Sequence, residues 1–502
     1  MGKGTRYACS CSFLACMISI LLGYDTGVMS GAMIFIKKDL HVSDTQIAVL
    51  AGILNVCALL GSLTAGRLSD WIGRRYTISA ASAIFFSGSV LMSLAPNYPV
   101  LISGRCIAGV GVGYALMIAP VYAAEISSSP HRGFLTSLPE LCISSGIFLG
   151  YVANWAFSKL PLRYGWRSML GAAAPPSFLL IFAILVMPES PRWLAMNGRL
   201  GDAHKVLGRV SDSGEEAGRR LEAIKSALGI ETGGDGEMVK VKEEMAAGKG
   251  VWKELLLRPS AAVRKILVAA VGINFLQHVT GVEAIVLYSP RIFEKSGVHD
   301  TNKKLLATMG VGLAKILFIL VPIFLIDRVG RRLLLLVSLA GMALSLTCVG
   351  FGLTMVERTS DDKLPWAAAL CVAGVVAFIA TYSMGLGPIT WVYTSEIFPL
   401  RLRAQGTSLC VAVNRLMNST VSMTFISLYK AITIGGAFFL FAGMAVFAWF
   451  FFFLLFPETK GRSLEEMEEL FGGRWFHCKD GRREEEEEEE EAEEMAHLKG
   501  CC

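Results

Sequence analysis

Six stretches of this chain, 47–65, 76–99, 168–187, 333–356, 364–395 and 431–457, contain no Asp, Glu, Lys or Arg. An α-helix needs about 20 apolar residues to cross the hydrocarbon core of a bilayer, and each stretch is roughly that long or longer. Six more, 7–36, 100–124, 134–158, 266–290, 305–326 and 404–429, are apolar with very few ionisable interruptions. The runs are continuous and do not alternate, which predicts helices and excludes an outer-membrane barrel. The expected fold is an all-α membrane protein with twelve transmembrane helices. Composition agrees: 53% of residues are hydrophobic and 18% charged, against about 25% charged in soluble chains. The first run lacks a small-residue cleavage site and reads as a span, not a secretory signal.

The net charge of +5 hides an asymmetry. Ten of the 42 acids lie in 484–494, which leaves 32 to balance 47 bases elsewhere. Those bases are separated by long apolar runs and form no basic face, so nucleic acid is not the expected partner. Basic residues near the ends of the central polar segment, such as Arg192, Arg264 and Lys265, put both termini on the cytoplasmic side. The twelve cysteines then fall in spans or cytoplasmic segments, and no disulfide framework is implied. No nucleophile–base set and no metal-spaced cluster appears, so neither an enzyme nor a metal or other cofactor is expected.

The chain repeats itself. Asp70-Trp71-Ile72-Gly73-Arg74-Arg75 and Asp327-Arg328-Val329-Gly330-Arg331-Arg332 share one pattern, Asp-x-x-Gly-Arg-Arg. Glu125-Ile126 recurs as Glu396-Ile397, and Pro188-Glu189-Ser190 as Pro457-Glu458-Thr459. Matching marks in the same order imply a six-helix unit duplicated in parallel. The expected division is a first half at 1–187, a cytoplasmic segment with short helices at 188–265, a second half at 266–456 and an acidic tail at 457–502. Asp70, Arg74, Arg75, Glu125, Arg132 and Glu189, with Asp327, Arg331, Arg332, Glu396, Arg403 and Glu458, are candidates for an inner-face latch. Ion pairs at helix ends suit a device that closes in one state and breaks in the other. Simple topological anchoring by the arginines is the alternative, and repetition in both halves favours the latch.

These loops, together with Pro188-Glu189-Ser190-Pro191-Arg192-Trp193 and Pro457-Glu458-Thr459-Lys460-Gly461, resemble the sugar-porter branch of the major facilitator superfamily. The resemblance runs from about Tyr7 to Leu470. It implies two six-helix halves that rock about one central substrate cavity.

Six charges lie inside the spans: Asp25, Arg105, Glu140, Glu283, Lys315 and Arg415. A charge at mid-bilayer costs about 2.5–3.5 kcal/mol on insertion scales and needs a partner or a wet cavity. In the family fold, spans three, six, nine and twelve form the outer scaffold, and here those four are charge-free. Asp25, in Gly23-Tyr24-Asp25-Thr26-Gly27, and Arg105 resemble the proton acceptor and partner of proton-coupled sugar symporters, with the proton as coupling ion. A static ion pair is the alternative.

Span seven reads Gln277-His278-Val279-Thr280-Gly281-Val282-Glu283-Ala284. Hexose porters carry amides at the positions of Glu140, His278, Glu283 and Lys315. The altered set resembles the plant polyol/monosaccharide transporters, which implies linear polyols such as sorbitol, mannitol and xylitol, with inositol and monosaccharides as further substrates. Polyol hydroxyls can donate to carboxylates and accept from Lys315, and charge-assisted bonds are the stronger kind. Substrate-binding candidates are Glu140, Gln277, Glu283, Tyr288, Lys315, Trp391 and Asn414. Trp391 is either an apolar floor or core packing, Tyr288 either a contact or not, and Arg415 either a neutraliser of an acid or a ligand. His278 is expected to be a satisfied helix-interface residue. The expected protein is a symporter in the plasma membrane, functional as a monomer, its partners being substrate, protons and lipid. An uncoupled facilitator and a transporter-like sugar receptor are the alternatives.

Overall fold

The computed structural model describes residues 2–127, 132–228, 259–296, 300–358, 365–399 and 402–460, with 252, 254 and 255 besides. The regular elements among them are helices. The first group comprises Lys3–Leu40 (α1), Asp44–Ile72 (α2), Arg74–Ser93 (α3), Tyr98–Ile126 (α4), Arg132–Phe157 (α5), Leu162–Gly171 (α6) and Ala174–Ala183 (α7). α6 and α7 are one traverse broken ahead of Pro175-Pro176, since proline has no N–H to continue a helix.

Three short helices follow: Pro191–Met196 (α8), Leu200–Val210 (α9) and Gly214–Ala227 (α10). They answer to the short helices expected within 188–265, and α10 is started by Ser213, whose hydroxyl accepts from the Glu216 N–H. These helices dock on the first group. Arg220 donates to the carbonyls of Ile126 and Ser127 at the end of α4. Asp212 accepts from the Thr5 backbone and hydroxyl at 3.0 and 2.7 Å. Residues 229–250 and the tail beyond Lys460 lie outside the described residues.

The second group comprises Ala261–Val279 (α11), Val282–Lys295 (α12), Thr301–Val329 (α13), Arg331–Arg358 (α14), Pro365–Met384 (α15), Leu386–Glu396 (α16), Arg403–Ile432 (α17) and Ile434–Leu455 (α18). Two traverses are again broken, between α11 and α12 and between α15 and α16. The first break turns on Gly281, whose φ of 86° is the left-handed region that glycine enters freely. Among the described residues, eleven helical stretches are long and apolar enough to cross a membrane. The span expected over 404–429 is the 30-residue α17. It is long enough but too polar to be among the eleven, because Asn414, Arg415, Asn418 and a series of Ser and Thr interrupt its apolar surface.

Small residues set the closeness of packing. A side chain at Gly23 on α1 would collide with the Ile143 carbonyl on α5, and one at Gly146 with that of Ile20. Backbones in contact at small residues are how helices associate where lipid removes the hydrophobic drive. The two groups meet chiefly through α2 against α17 and α5 against α13. Large apolar side chains such as Leu179, Phe324, Leu344 and Phe447 point outward, the arrangement that suits a lipid surround.

Candidate functional site

The repeated loops build two nearly identical cages at one end of the bundle. In the first, the Arg74 guanidinium is buried and donates to Glu125 on α4 at 3.0 and 3.1 Å and to Asp70 at 3.1 Å. Glu189 accepts from the backbone N–H groups of Arg74 and Arg75 at 2.9 and 3.2 Å. Burial pushes its carboxyl above the usual range, only partly offset by those donors and the Arg74 charge. In the second cage, Arg331 pairs with Glu396 at 3.2 Å. Glu458 accepts from the backbone of Arg331 and Arg332 at 2.9 and 3.0 Å.

The glycine is forced in both. Gly73 and Gly330 have φ of 98° and 99°, and a side chain there would run into Glu189 and Glu458 respectively. The doubled arginines have different partners. The first of each pair takes carboxylates, while Arg75 and Arg332 donate to carbonyls, Met187 and Phe453, at the ends of the traverses that close each group. Arg403 is buried and donates to the Phe398 carbonyl at 3.0 Å. The side chains of Arg132 and Asp327 lie outside the described residues.

All six intramembrane charges line one cavity between the two groups. Arg105 on α4 donates through one nitrogen to both Asp25 oxygens, at 2.8 and 2.6 Å, and both residues are buried. Glu140 on α5 crosses to the second group. One of its oxygens accepts from the Trp391 indole on α16 at 3.0 Å, and the other meets the Lys315 ammonium on α13 at 3.3 Å. A single carboxylate thus ties together three helices from both groups.

The remaining candidates form a buried network on the second group. Arg415 donates to the Asn414 oxygen, the Asn414 amide donates to Gln277 at 2.6 Å, and Gln277 donates to the Tyr382 hydroxyl at 2.9 Å. Gln277 therefore reaches the cavity with both ends of its amide engaged. Asn414 is wholly buried behind it and is not a lining residue. His278 is satisfied at one end only. Its Nε2 meets Asn414 at 2.9 Å, while Nδ1 faces Glu283 at 3.4 Å.

Tyr288 departs from the expectation of a substrate contact. The lining residues of α12 are Val282, Glu283, Val286 and Leu287, one face at helical spacing. Tyr288 falls beside that face, donates to the Ser422 carbonyl at 2.7 Å and packs on Phe425. Residues that sequence reasoning missed are Tyr382 and Asn55, both lining the cavity, the latter accepting from Arg415 at 3.2 Å. They lie in charge-free runs, where nothing but a hydroxyl ahead of Gly385-Leu386-Gly387-Pro388 and a lone amide marks them.

A model of the sugar (and other) transporter family matches residues 11–471. Among curated proteins, the chain is 62% identical to "Probable polyol transporter 3" of Arabidopsis thaliana, covering 93% of this chain and 92% of that one. It is 56% identical to "Polyol transporter 5" of the same plant, over 95% and 88%. Among solved structures it resembles the proton:xylose symporter XylE bound to 6-bromo-6-deoxy-D-glucose, at 25% identity and a TM-score of 0.80 over 93% of this chain and 100% of that one.

Proposed function

The chain belongs to the sugar (and other) transporter family, and from that membership we propose that it is a proton-coupled symporter of linear polyols. Sorbitol, mannitol and xylitol are the substrates, inositol and monosaccharides are accepted too, and transport proceeds by alternating access. The observation that carries this reading is the opening of Asp25–Arg105 onto the cavity in which Glu140 bridges the two groups of helices. Coupling needs a titrating pair that senses the substrate-binding state, and a shared cavity supplies that contact. The names borne by the plant relatives support the polyol, and the XylE likeness supports the proton.

The division of labour follows from the geometry. Protonation of Asp25 weakens its hold on Arg105, which stays charged throughout, and so favours the switch with substrate bound. Glu140, Lys315, Glu283 and Gln277 present acceptors and donors to hydroxyls, and Trp391 supplies an apolar surface for the carbon chain. The cages around Arg74 and Arg331 stiffen the cytoplasmic ends of the halves, 1–187 and 266–456, which move as units about the fixed site. The protein acts as a monomer in the plasma membrane with both termini in the cytoplasm.

Uptake of radiolabelled sorbitol by cells expressing Asp25→Asn, with and without a proton gradient, tests the coupling. The wild type is expected to accumulate sorbitol with external alkalinisation, and the variant only to equilibrate it. Accumulation by the variant would remove Asp25 from the coupling role. A wild type that merely equilibrates sorbitol would make the protein a facilitator with Asp25–Arg105 as a fixed pair.

A further inference from the structure

The His278–Glu283 contact has a proton count that its neighbours fix. Arg415 can only donate, so the Asn414 atom it meets is the amide oxygen. That oxygen can only accept, so the His278 Nε2 at 2.9 Å from it carries a hydrogen; the donor-only Arg415 Nη2 stands farther from the same nitrogen, at 3.4 Å, and is the weaker contact. In a neutral imidazole the hydrogen on Nε2 leaves Nδ1 as a bare lone pair. Nδ1 is buried with no hydrogen-bond partner among the described residues, and 3.4 Å away stands Glu283 Oε1, also an acceptor when ionised. A buried acceptor and one on the cavity wall, the Glu283 side chain being 16% exposed, face each other across a gap that one proton would fill.

We propose that Glu283 and His278 share one proton, and that this pair is a second protonation site on the cavity wall that captures a substrate hydroxyl only when loaded. A hydroxyl has one hydrogen and can accept. Between two bare acceptors it satisfies one and leaves the other unpaired. With the shared proton in place, one partner donates to the hydroxyl oxygen and the other receives the hydroxyl hydrogen, so every group is satisfied. The charged and titratable groups facing the pair are Arg415 from α17, Lys315 from α13, Glu140 and Tyr151 from α5 and Tyr382 from α15, with Asp25–Arg105 across the cavity. Asp25 already has an arginine donating to both oxygens, whereas Glu283 has no Lys or Arg within ion-pair distance among the described residues. The two sites therefore take up protons for different reasons: the first to release an arginine, the second to complete a hydrogen bond to substrate.

The inference rests on the polyol reading and is tested where the first site is absent. Equilibrium binding of radiolabelled sorbitol to purified Asp25→Asn is measured from about pH 5 to about pH 9, the range in which histidine-linked protons move. The expected affinity falls as pH rises, by up to about tenfold per pH unit once the shared proton is lost. Adding His278→Gln or Glu283→Gln flattens the profile. Sorbitol binding by Asp25→Asn that is independent of pH overturns the proposal. The pair is also read without substrate, by pH-difference infrared spectroscopy of the wild type and the two single variants. A titrating band that vanishes in Glu283→Gln and moves in His278→Gln supports the shared proton even if sorbitol does not bind and the polyol reading fails. The absence of any such band overturns it.

Discussion

The two loop cages match almost group for group, whereas the two sets of helices give the cavity opposite things. Gly73 with Glu189 and Gly330 with Glu458 share φ, backbone donors and the steric reason for glycine. At the cavity the first set presents a closed ion pair, Asp25–Arg105, on unbroken helices. The second presents broken helices, an amide network and a carboxylate, Glu283, that faces an imidazole and has no Lys or Arg within ion-pair distance among the described residues. Duplication preserved what holds each half rigid. The groups proposed to recognise substrate and move protons are not duplicated, and on that proposal the asymmetry sets specificity.

The largest expected effect tests the likeness of the cages. Arg74→Ala and Arg331→Ala each strand a buried carboxylate, Glu125 or Glu396, and removing one partner of a buried pair costs about 3–5 kcal/mol. Both variants should lower the unfolding midpoint in detergent and abolish sorbitol uptake. A cage whose loss leaves the midpoint unchanged would not be structural, and the equivalence of the halves would fail there.

A smaller effect is expected at the cavity, and of a different kind. Glu140→Gln keeps an acceptor for the Trp391 indole but removes the charge that holds Lys315. Hydrogen bonds to charged groups contribute about 1.5–3 kcal/mol, so the apparent affinity for sorbitol should weaken by roughly ten- to a hundredfold. The unfolding midpoint should move far less than in the cage variants. Equal damage to affinity and midpoint would mean that Glu140 is a strut between halves and not a ligand.

The fold was legible because exclusion from lipid writes itself as runs without charge, and the site because the exceptions are so few. Each of Asp25, Arg105, Glu140, Glu283, Lys315 and Arg415 had to find a cavity or a partner, and one cavity takes them all. Uncharged polar groups leave no such mark. Tyr382 and Asn55 cost little enough in a membrane helix to occur anywhere on it, so no periodicity picks them out. Facing direction was equally hidden: the break at Gly281 resets the helical phase, which brings Glu283 to the cavity and turns Tyr288 away. α17 blurred the span pattern for the opposite reason, since a helix that lines the cavity and packs on α2 has little surface left to show lipid.

The smallest expected effect concerns the opposite end of the bundle, where no duplicated motif exists. Asp44 at the start of α2 meets Lys37 at 2.6 Å, and from the second group Arg291 at 3.5 Å and Lys430 at 3.9 Å. This cluster links the two groups, yet its members are exposed, Asp44 at 43% and Lys430 at 59% of the side chain. Exposed pairs contribute about 0–1 kcal/mol, and salt screens them over about 8 Å at physiological strength. Asp44→Asn should therefore change sorbitol uptake by less than about fivefold, in the range that 1 kcal/mol allows, and the difference should shrink as salt is added. A loss as large as that of Arg74→Ala, persisting in high salt, would mean that burial is the wrong measure of which ion pairs govern transport. Asp44 would then be a gate on the far side of the cavity, and the contrast between rigid, duplicated ends and a single asymmetric centre would have to include it.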